Sequence, residues 1–210
     1  MAYLVQWLFG CLVEYLGYLF YGLKFEGLEY LKECDLPVIF VSNHKSWIDH
    51  FIIIAGALRR KGIVPIHVLV ADDIYTRPIV GAICRVLGAY PAQYGRGIEI
   101  SLAPLTKDLA RGHSVGLYPE GKIDKNELFG KPRPGTAWLA LKSGRQIFPM
   151  AIKGLERFTW GSLFWGGRKV TIRYGKPFWA QGDYRNFNDV SSQTNLIMNR
   201  IITLYNEIIL

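Results

Sequence analysis

Two side chains five positions apart, His44 and Asp49 in Asn43-His44-Lys45-Ser46-Trp47-Ile48-Asp49, are the residues best suited to proton-transfer chemistry in this chain. An imidazole titrates near neutral pH, and a carboxylate on one ring nitrogen fixes the tautomer and stabilises the imidazolium that forms when the other nitrogen accepts a proton. Ser46-Trp47-Ile48-Asp49 ahead of Phe51-Ile52-Ile53-Ile54 is also a helix-capping pattern, and the two roles are compatible. His50 adds a second imidazole beside Asp49, but no third ligand stands at metal spacing, so no metal is expected.

The run Val38-Ile39-Phe40-Val41-Ser42 leads straight into this block, placing His44 at the carboxyl end of a strand, where open α/β sheets hold ligands. Strands are expected at 37–42, 66–71, 115–118, 147–152 and 169–174, alternating with helices at 46–59, 75–87, 98–111 and 136–142 and a closing helix at 190–210. That alternation predicts an α/β fold, a central mostly parallel sheet flanked by helices.

Ahead of it, residues 1–23 carry one charge, Glu14, and as a helix would reach about 34 Å at 1.5 Å per residue, enough to cross a bilayer. Gln6 and the residues Tyr3, Trp7, Tyr15, Tyr18 and Tyr21 suit an interfacial helix equally, and a buried core helix is the third reading. With no basic leader region and no small-residue cleavage site before Lys24, the segment is expected to be a retained membrane-associated helix, with one domain over 24–210.

Composition sets the outer bounds. Half of the 210 residues are hydrophobic and 20% charged, which excludes disordered and collagen-like classes. The formal charge of +8 suits an anionic membrane, a phosphorylated substrate or nucleic acid. No recognition helix or aromatic-basic RNA motif supports the last. Cys11, Cys34 and Cys84 are odd in number and lack C-x-x-C spacing, consistent with a reducing compartment.

Two shorter signatures fail on context. Gly112-His113-Ser114-Val115-Gly116 fits G-x-S-x-G, yet a helix precedes the serine, a strand follows it, and all four histidines lie before it, the reverse of hydrolase order. Gly116-Leu117-Tyr118-Pro119-Glu120-Gly121-Lys122 resembles a phosphate-binding loop, but Ile123 replaces the hydroxyl residue and no long helix follows.

With His44 and Asp49 as H-x-x-x-x-D, further blocks follow: Leu87-Gly88-Ala89-Tyr90-Pro91, Tyr118-Pro119-Glu120-Gly121, Pro134-Gly135-Thr136-Ala137 and Phe148-Pro149-Met150-Ala151-Ile152, with Phe25-Glu26-Gly27-Leu28-Glu29 ahead of them all. In this order they resemble the glycerolipid acyltransferases, specifically the 1-acylglycerol-3-phosphate acyltransferases of PlsC type, over roughly residues 25–175. The resemblance implies acyl transfer from acyl-CoA or acyl-carrier protein, as co-substrate rather than cofactor, to the free hydroxyl of a lysophospholipid, forming phosphatidate. His44 is then the base, Asp49 orients it, and Glu120 and Gly121 help bind the acceptor. Asn43 and Ser46 support the block, and backbone N–H groups near Ser46 are expected to face the oxyanion.

The chain departs from the family pattern at two arginines, for which it has Tyr94 and Ile123. Arg96, Lys122, Lys125 and Arg133 are the replacement cations available for an acceptor phosphate. These departures keep open another lysolipid acceptor, and a non-catalytic membrane module remains the rival from a different class. The expected location is the cytoplasmic face of a membrane, with the aromatic run Phe158-Thr159-Trp160-Gly161-Ser162-Leu163-Phe164-Trp165 as a second lipid or acyl-chain contact or as ordinary core.

Overall fold

The structure is a computed structural model, described for residues 2–123, 129–156 and 169–209. Seven strands form one sheet: β1 (Lys24–Glu26), β2 (Ile39–Val41), β3 (Ile66–Val70), β4 (Ala89–Pro91), β5 (Ser114–Leu117), β6 (Ile147–Lys153) and β7 (Thr171–Tyr174). Their order is β1-β7-β6-β2-β5-β3-β4, and every neighbouring pair is parallel except β6 and β7. The helices are α1 (Ala2–Tyr21), α2 (Asp49–Ala57), α3 (Asp72–Tyr75), α4 (Pro78–Val86), α5 (Ile98–Ala110), α6 (Gly135–Ser143) and α7 (Phe187–Glu207).

Strand periodicity assigns the layers. In β2 and the residue before it, Val38 and Phe40 face one core with Ile52, Ile53 and Ile54 of α2, while Ile39 and Val41 face the other with Leu102, Leu105 and Leu109 of α5 and Ile197 and Ile201 of α7. Both faces of the middle strands are buried, which is why they read as continuous apolar runs. The predicted mostly parallel sheet with flanking helices is what the chain forms.

The boundaries differ where local chemistry intervenes. The helix expected at 46–59 starts at Asp49, because residues 42–48 form the loop that carries His44. The helix expected at 75–87 is two, α3 and α4: proline disfavours the α region for the residue before it, and Arg77 ahead of Pro78 is extended at ψ 134°. The closing helix begins at Phe187 rather than Val190, capped by the Asn186 side chain accepting from the Asn188 N–H, and ends at Glu207. The edge strands β1 and β4, three residues each, were not expected.

Helix α1 lies against α2, packing Gly10 where an added Cβ would stand 2.9 Å from Leu58 Cδ1. Gln6 is fully buried, its amide nitrogen donating to the carbonyls of Ile66 (2.9 Å) and Leu87 (2.7 Å) and its oxygen accepting from the Ile66 N–H (2.8 Å). Glu14 pairs with Arg59 just past α2. The opposite face of α1 is exposed and apolar: Tyr3, Leu4, Trp7, Leu8, Leu12, Tyr15, Tyr18 and Leu19. By length and composition it is also the one described helix able to cross a membrane.

Candidate active site

The site begins where β2 ends. Val41 is the last residue paired to β5 and β6, after which the chain leaves the sheet and turns back into α2. Asn43 anchors the departure: its side-chain amide donates to the Ile152 carbonyl and accepts from the Ile152 N–H, both at 2.8 Å. His44 follows with its ring partly accessible, and Asp49, at the first position of α2, is completely buried.

The His44 Nδ1 atom lies 3.0 Å from Asp49 Oδ2. The same oxygen accepts from the backbone N–H groups of Lys45 (2.7 Å) and Ser46 (2.9 Å), and Oδ1 accepts from the Ser46 hydroxyl (2.6 Å). A carboxylate ringed by donors is an acceptor, so Nδ1 carries the proton and the lone pair of Nε2 is the basic position. Because α2 starts only at Asp49, with Ile48 as its cap residue and no side-chain capping bond, the capping role read from Ser46-x-x-Asp49 is corrected: these bonds close the loop that carries His44 onto Asp49. Of the N–H groups near Ser46 expected to face the oxyanion, those of Lys45 and Ser46 are engaged on Asp49.

Glu120 reaches the loop from the end of β5. It is buried, with Oε1 accepting from the His44 N–H at 3.0 Å and Oε2 from the Gly130 N–H at 2.9 Å. Both oxygens are thus occupied by backbone, which gives Glu120 a structural part not foreseen in the sequence: it joins the loop after β5 to the backbone of His44. Tyr118 was also missed as a partner. Its ring stacks on the His44 imidazole at 4.0 Å and 14°. Burial, and behind it the Asp49 carboxylate, holds its phenol well above the usual range. The only sequence signal for it is its place beside Pro119-Glu120. Lys45, fully buried with its ammonium 5.3 Å from the Phe129 ring centroid, gave no sequence signal beyond its neighbour His44.

Gly121 adopts φ +66°, and an added Cβ would stand 2.6 Å from Arg133 Cδ. Arg133 also lies 5.5 Å from the ring centroid of Tyr94, whose hydroxyl donates to the Gly121 carbonyl at 3.1 Å. Arg133 thus sits between Tyr94, one of the positions lacking the family arginine, and the Glu120-Gly121 turn that precedes the other. Arg96 and Lys122 are exposed and form no ion pair among the described residues. Lys125 and the aromatic run at 158–165 lie outside the described residues.

His50 belongs to the same helix turn as Asp49 but does not extend the site. Both ring nitrogens are buried without a hydrogen-bond partner among the described residues. Burial first, then the nearby His44 and His67, pushes its imidazole down to about 3, and the Ile66 backbone opposes the shift without reaching hydrogen-bond geometry.

Three comparisons bear on what this geometry belongs to. A chloroplastic 1-acyl-sn-glycerol-3-phosphate acyltransferase of Arabidopsis thaliana is 30% identical over 139 residues, covering 65% of this chain and 37% of the relative. One from Brassica napus is 27% identical over 139 residues, covering 65% and 39%. The chain therefore spans well under half the length of these curated relatives. The crystal structure of the 1-acyl-sn-glycerophosphate acyltransferase PlsC from Thermotoga maritima superimposes with a TM-score of 0.63 at 18% identity, covering 87% of this chain and 71% of that one, which shows a shared fold. The family model described as Acyltransferase matches residues 22–153, a span that runs from before β1 to the end of β6 and holds His44, Asp49, Glu120 and Arg133; the chain belongs to the acyltransferase family.

Proposed function

We propose that the protein transfers a fatty acyl group from acyl-CoA or acyl-carrier protein to the free hydroxyl of 1-acyl-glycerol-3-phosphate, forming phosphatidate for phospholipid synthesis. The observation that carries this reading is the His44–Asp49 pair on the loop after β2, inside the family match. The curated relatives, named for that reaction, support the choice of acceptor.

In this mechanism Asp49 holds the Nδ1 proton, and His44 Nε2 removes the proton from the acceptor hydroxyl as its oxygen bonds to the thioester carbonyl carbon. The tetrahedral intermediate collapses with cleavage of the C–S bond, and the imidazolium returns its proton to the departing thiolate. One ester and one thiol replace one alcohol and one thioester. Tyr118 stacked on the ring and Glu120 on the backbone N–H restrict His44 to a single orientation, which is the entropic part of the catalysis. Among the described residues, Arg133, close against the Glu120-Gly121 turn, is the cation best placed to meet the acceptor phosphate, with Arg96 and Lys122 as further positive charge; the expectation for Lys125 rests on the sequence alone.

Both lipids partition into a bilayer, and the exposed apolar face of α1 offers a surface for docking there, on the cytoplasmic side, with basic residues adding about 1 kcal/mol each near anionic headgroups. The test is acyl transfer by the purified protein in vesicles, with lysophosphatidate and each donor in turn. His44→Ala is expected to lower kcat by about 10²- to 10⁴-fold with folding and vesicle binding retained. Arg133→Ala is expected to raise the acceptor KM. An undiminished rate in His44→Ala removes the proposed base. Vesicle binding without turnover on either donor favours the non-catalytic membrane module, and turnover only on a phosphate-free lysolipid displaces lysophosphatidate as acceptor.

A further inference from the structure

The amino-terminal edge of the sheet, opposite the end that carries His44, holds a second group of histidine and carboxylate that acyl transfer does not use. His67 is the second residue of β3, Asp108 lies in the last turn of α5, and His113 immediately precedes β5. Asp108 is buried at 2% exposure. His67 Nδ1 stands 2.5 Å from its Oδ2 and His113 Nδ1 stands 3.9 Å from its Oδ1. One donor atom from each of the three lies within 4.8 Å of the others.

A hydrogen-bonded His67–Asp108 pair would by itself be an ordinary satisfied buried pair. His113 is what that reading leaves unexplained. Its backbone N–H is held on the Asp108 carbonyl at 2.9 Å, and its ring meets that of His67 edge-on at 5.3 Å. Its Nδ1, buried and turned to the same carboxylate, has no hydrogen-bond partner among the described residues. Buried polar atoms are nearly always satisfied, so an unpartnered imidazole nitrogen facing a carboxylate and a second imidazole is a position for a ligand.

We propose that His67, Asp108 and His113 bind a divalent transition-metal ion, with zinc the best match to two imidazole nitrogens and one carboxylate. Zinc–nitrogen and zinc–oxygen bonds of about 2.0–2.2 Å in tetrahedral geometry place donors about 3.3 Å apart. The observed 2.5 and 3.9 Å to Asp108 straddle that spacing, so His67 opens from Asp108 and His113 closes on it, each by less than about 1 Å, while the three donors, now within 4.8 Å of one another, draw together on the ion. The exposed side of the His113 ring, 43% accessible as a side chain, gives the ion a path from solvent. The ion would pin the α5–β5 turn to β3. Metal spacing was invisible in the sequence because His67 and Asp108 are separated by 41 residues and meet only when α5 packs on the sheet.

The proposal is independent of the acyl-transfer reading, and its test needs no turnover. Tag-free, chelator-stripped protein is titrated with Co²⁺ and, separately, Zn²⁺. The expected result is one Co²⁺ per chain with the visible absorption of a tetrahedral site, displaced by Zn²⁺, and a Tm raised by Zn²⁺. His113→Ala, which removes a ring whose Nδ1 has no hydrogen-bond partner among the described residues, is expected to keep the metal-free Tm and to weaken binding by at least about tenfold. His44→Ala is expected to bind as the parent does. Absence of the Co²⁺ spectrum, its persistence in His113→Ala, or its loss in His44→Ala overturns the assignment.

Discussion

Replacing His50 by leucine should remove a specific pH dependence from the stability of this protein. The His50 imidazole is enclosed with neither nitrogen satisfied among the described residues, and its proton affinity falls from an ordinary 6.5 to about 3 on folding, with burial the main cause and His44 and His67 adding to it. A histidine with a depressed folded pKa contributes full stability above its unfolded value. Below 6.5 the unfolded chain binds a proton that the native state refuses, so stability falls with pH down to the folded value near 3. At pH 5.5, one unit below the unfolded value, the cost is about 1.4 kcal/mol relative to neutral pH, and it grows by about 1.4 kcal/mol for each further unit until the folded value is approached. The assay is urea denaturation of parent and His50→Leu from pH 7.5 to 5. The other titrating groups are common to both proteins, so the difference between the curves isolates His50. The parent should lose about 1.4 kcal/mol more than the variant between pH 7.5 and 5.5. Curves that run parallel refute the reasoning, because they mean that His50 takes up its proton in the native state or is not enclosed.

Glu120→Gln keeps an acceptor for one backbone N–H but sets an amide NH₂ against the other; it should cost about 1–3 kcal/mol in urea denaturation and lower kcat while leaving the acceptor KM nearly unchanged. A raised KM with kcat preserved would place Glu120 on the acceptor instead. Gln6→Leu strips the partners from the Ile66 N–H and from the carbonyls of Ile66 and Leu87, so it should destabilise by about 1–3 kcal/mol and accelerate amide exchange at Ile66; unchanged exchange there would show that α1 is held by its apolar contacts alone.

The middle of the fold was legible because β2, β3, β5 and β6 are short, mostly apolar stretches bounded by turn residues, with His67 in β3 and Ser114 opening β5 as the polar exceptions, and burial on both faces favours that composition. The edge strands were not. Lys24-Phe25-Glu26 and Ala89-Tyr90-Pro91 are too short for a period and are held by a single neighbour each, β7 and β3. At the site, the His44 and Asp49 pairing could be read because both partners lie within one loop and one helix turn. The second carboxylate contact, Glu120 to the His44 N–H, joins residues 76 apart, and the Asn43 amide meets Ile152 across 109 residues. Such contacts are fixed by sheet register, which local spacing does not encode. The family blocks drew attention to Glu120 without distinguishing a substrate ligand from a backbone clasp, since a buried carboxylate serves either purpose with the same neighbours in sequence.

The Asn43 amide has a consequence for how mutations elsewhere reach the reacting atoms. By exchanging two hydrogen bonds with Ile152, one side chain imitates a further rung of the β2–β6 ladder beyond the point where the backbone has left it. The position of His44 is therefore surveyed from the central sheet, one residue away, and not accumulated along the loop. Changes at the far end of α2 or in α1 should alter stability long before they displace the imidazole, whereas an error of register between β2 and β6 would carry it off directly.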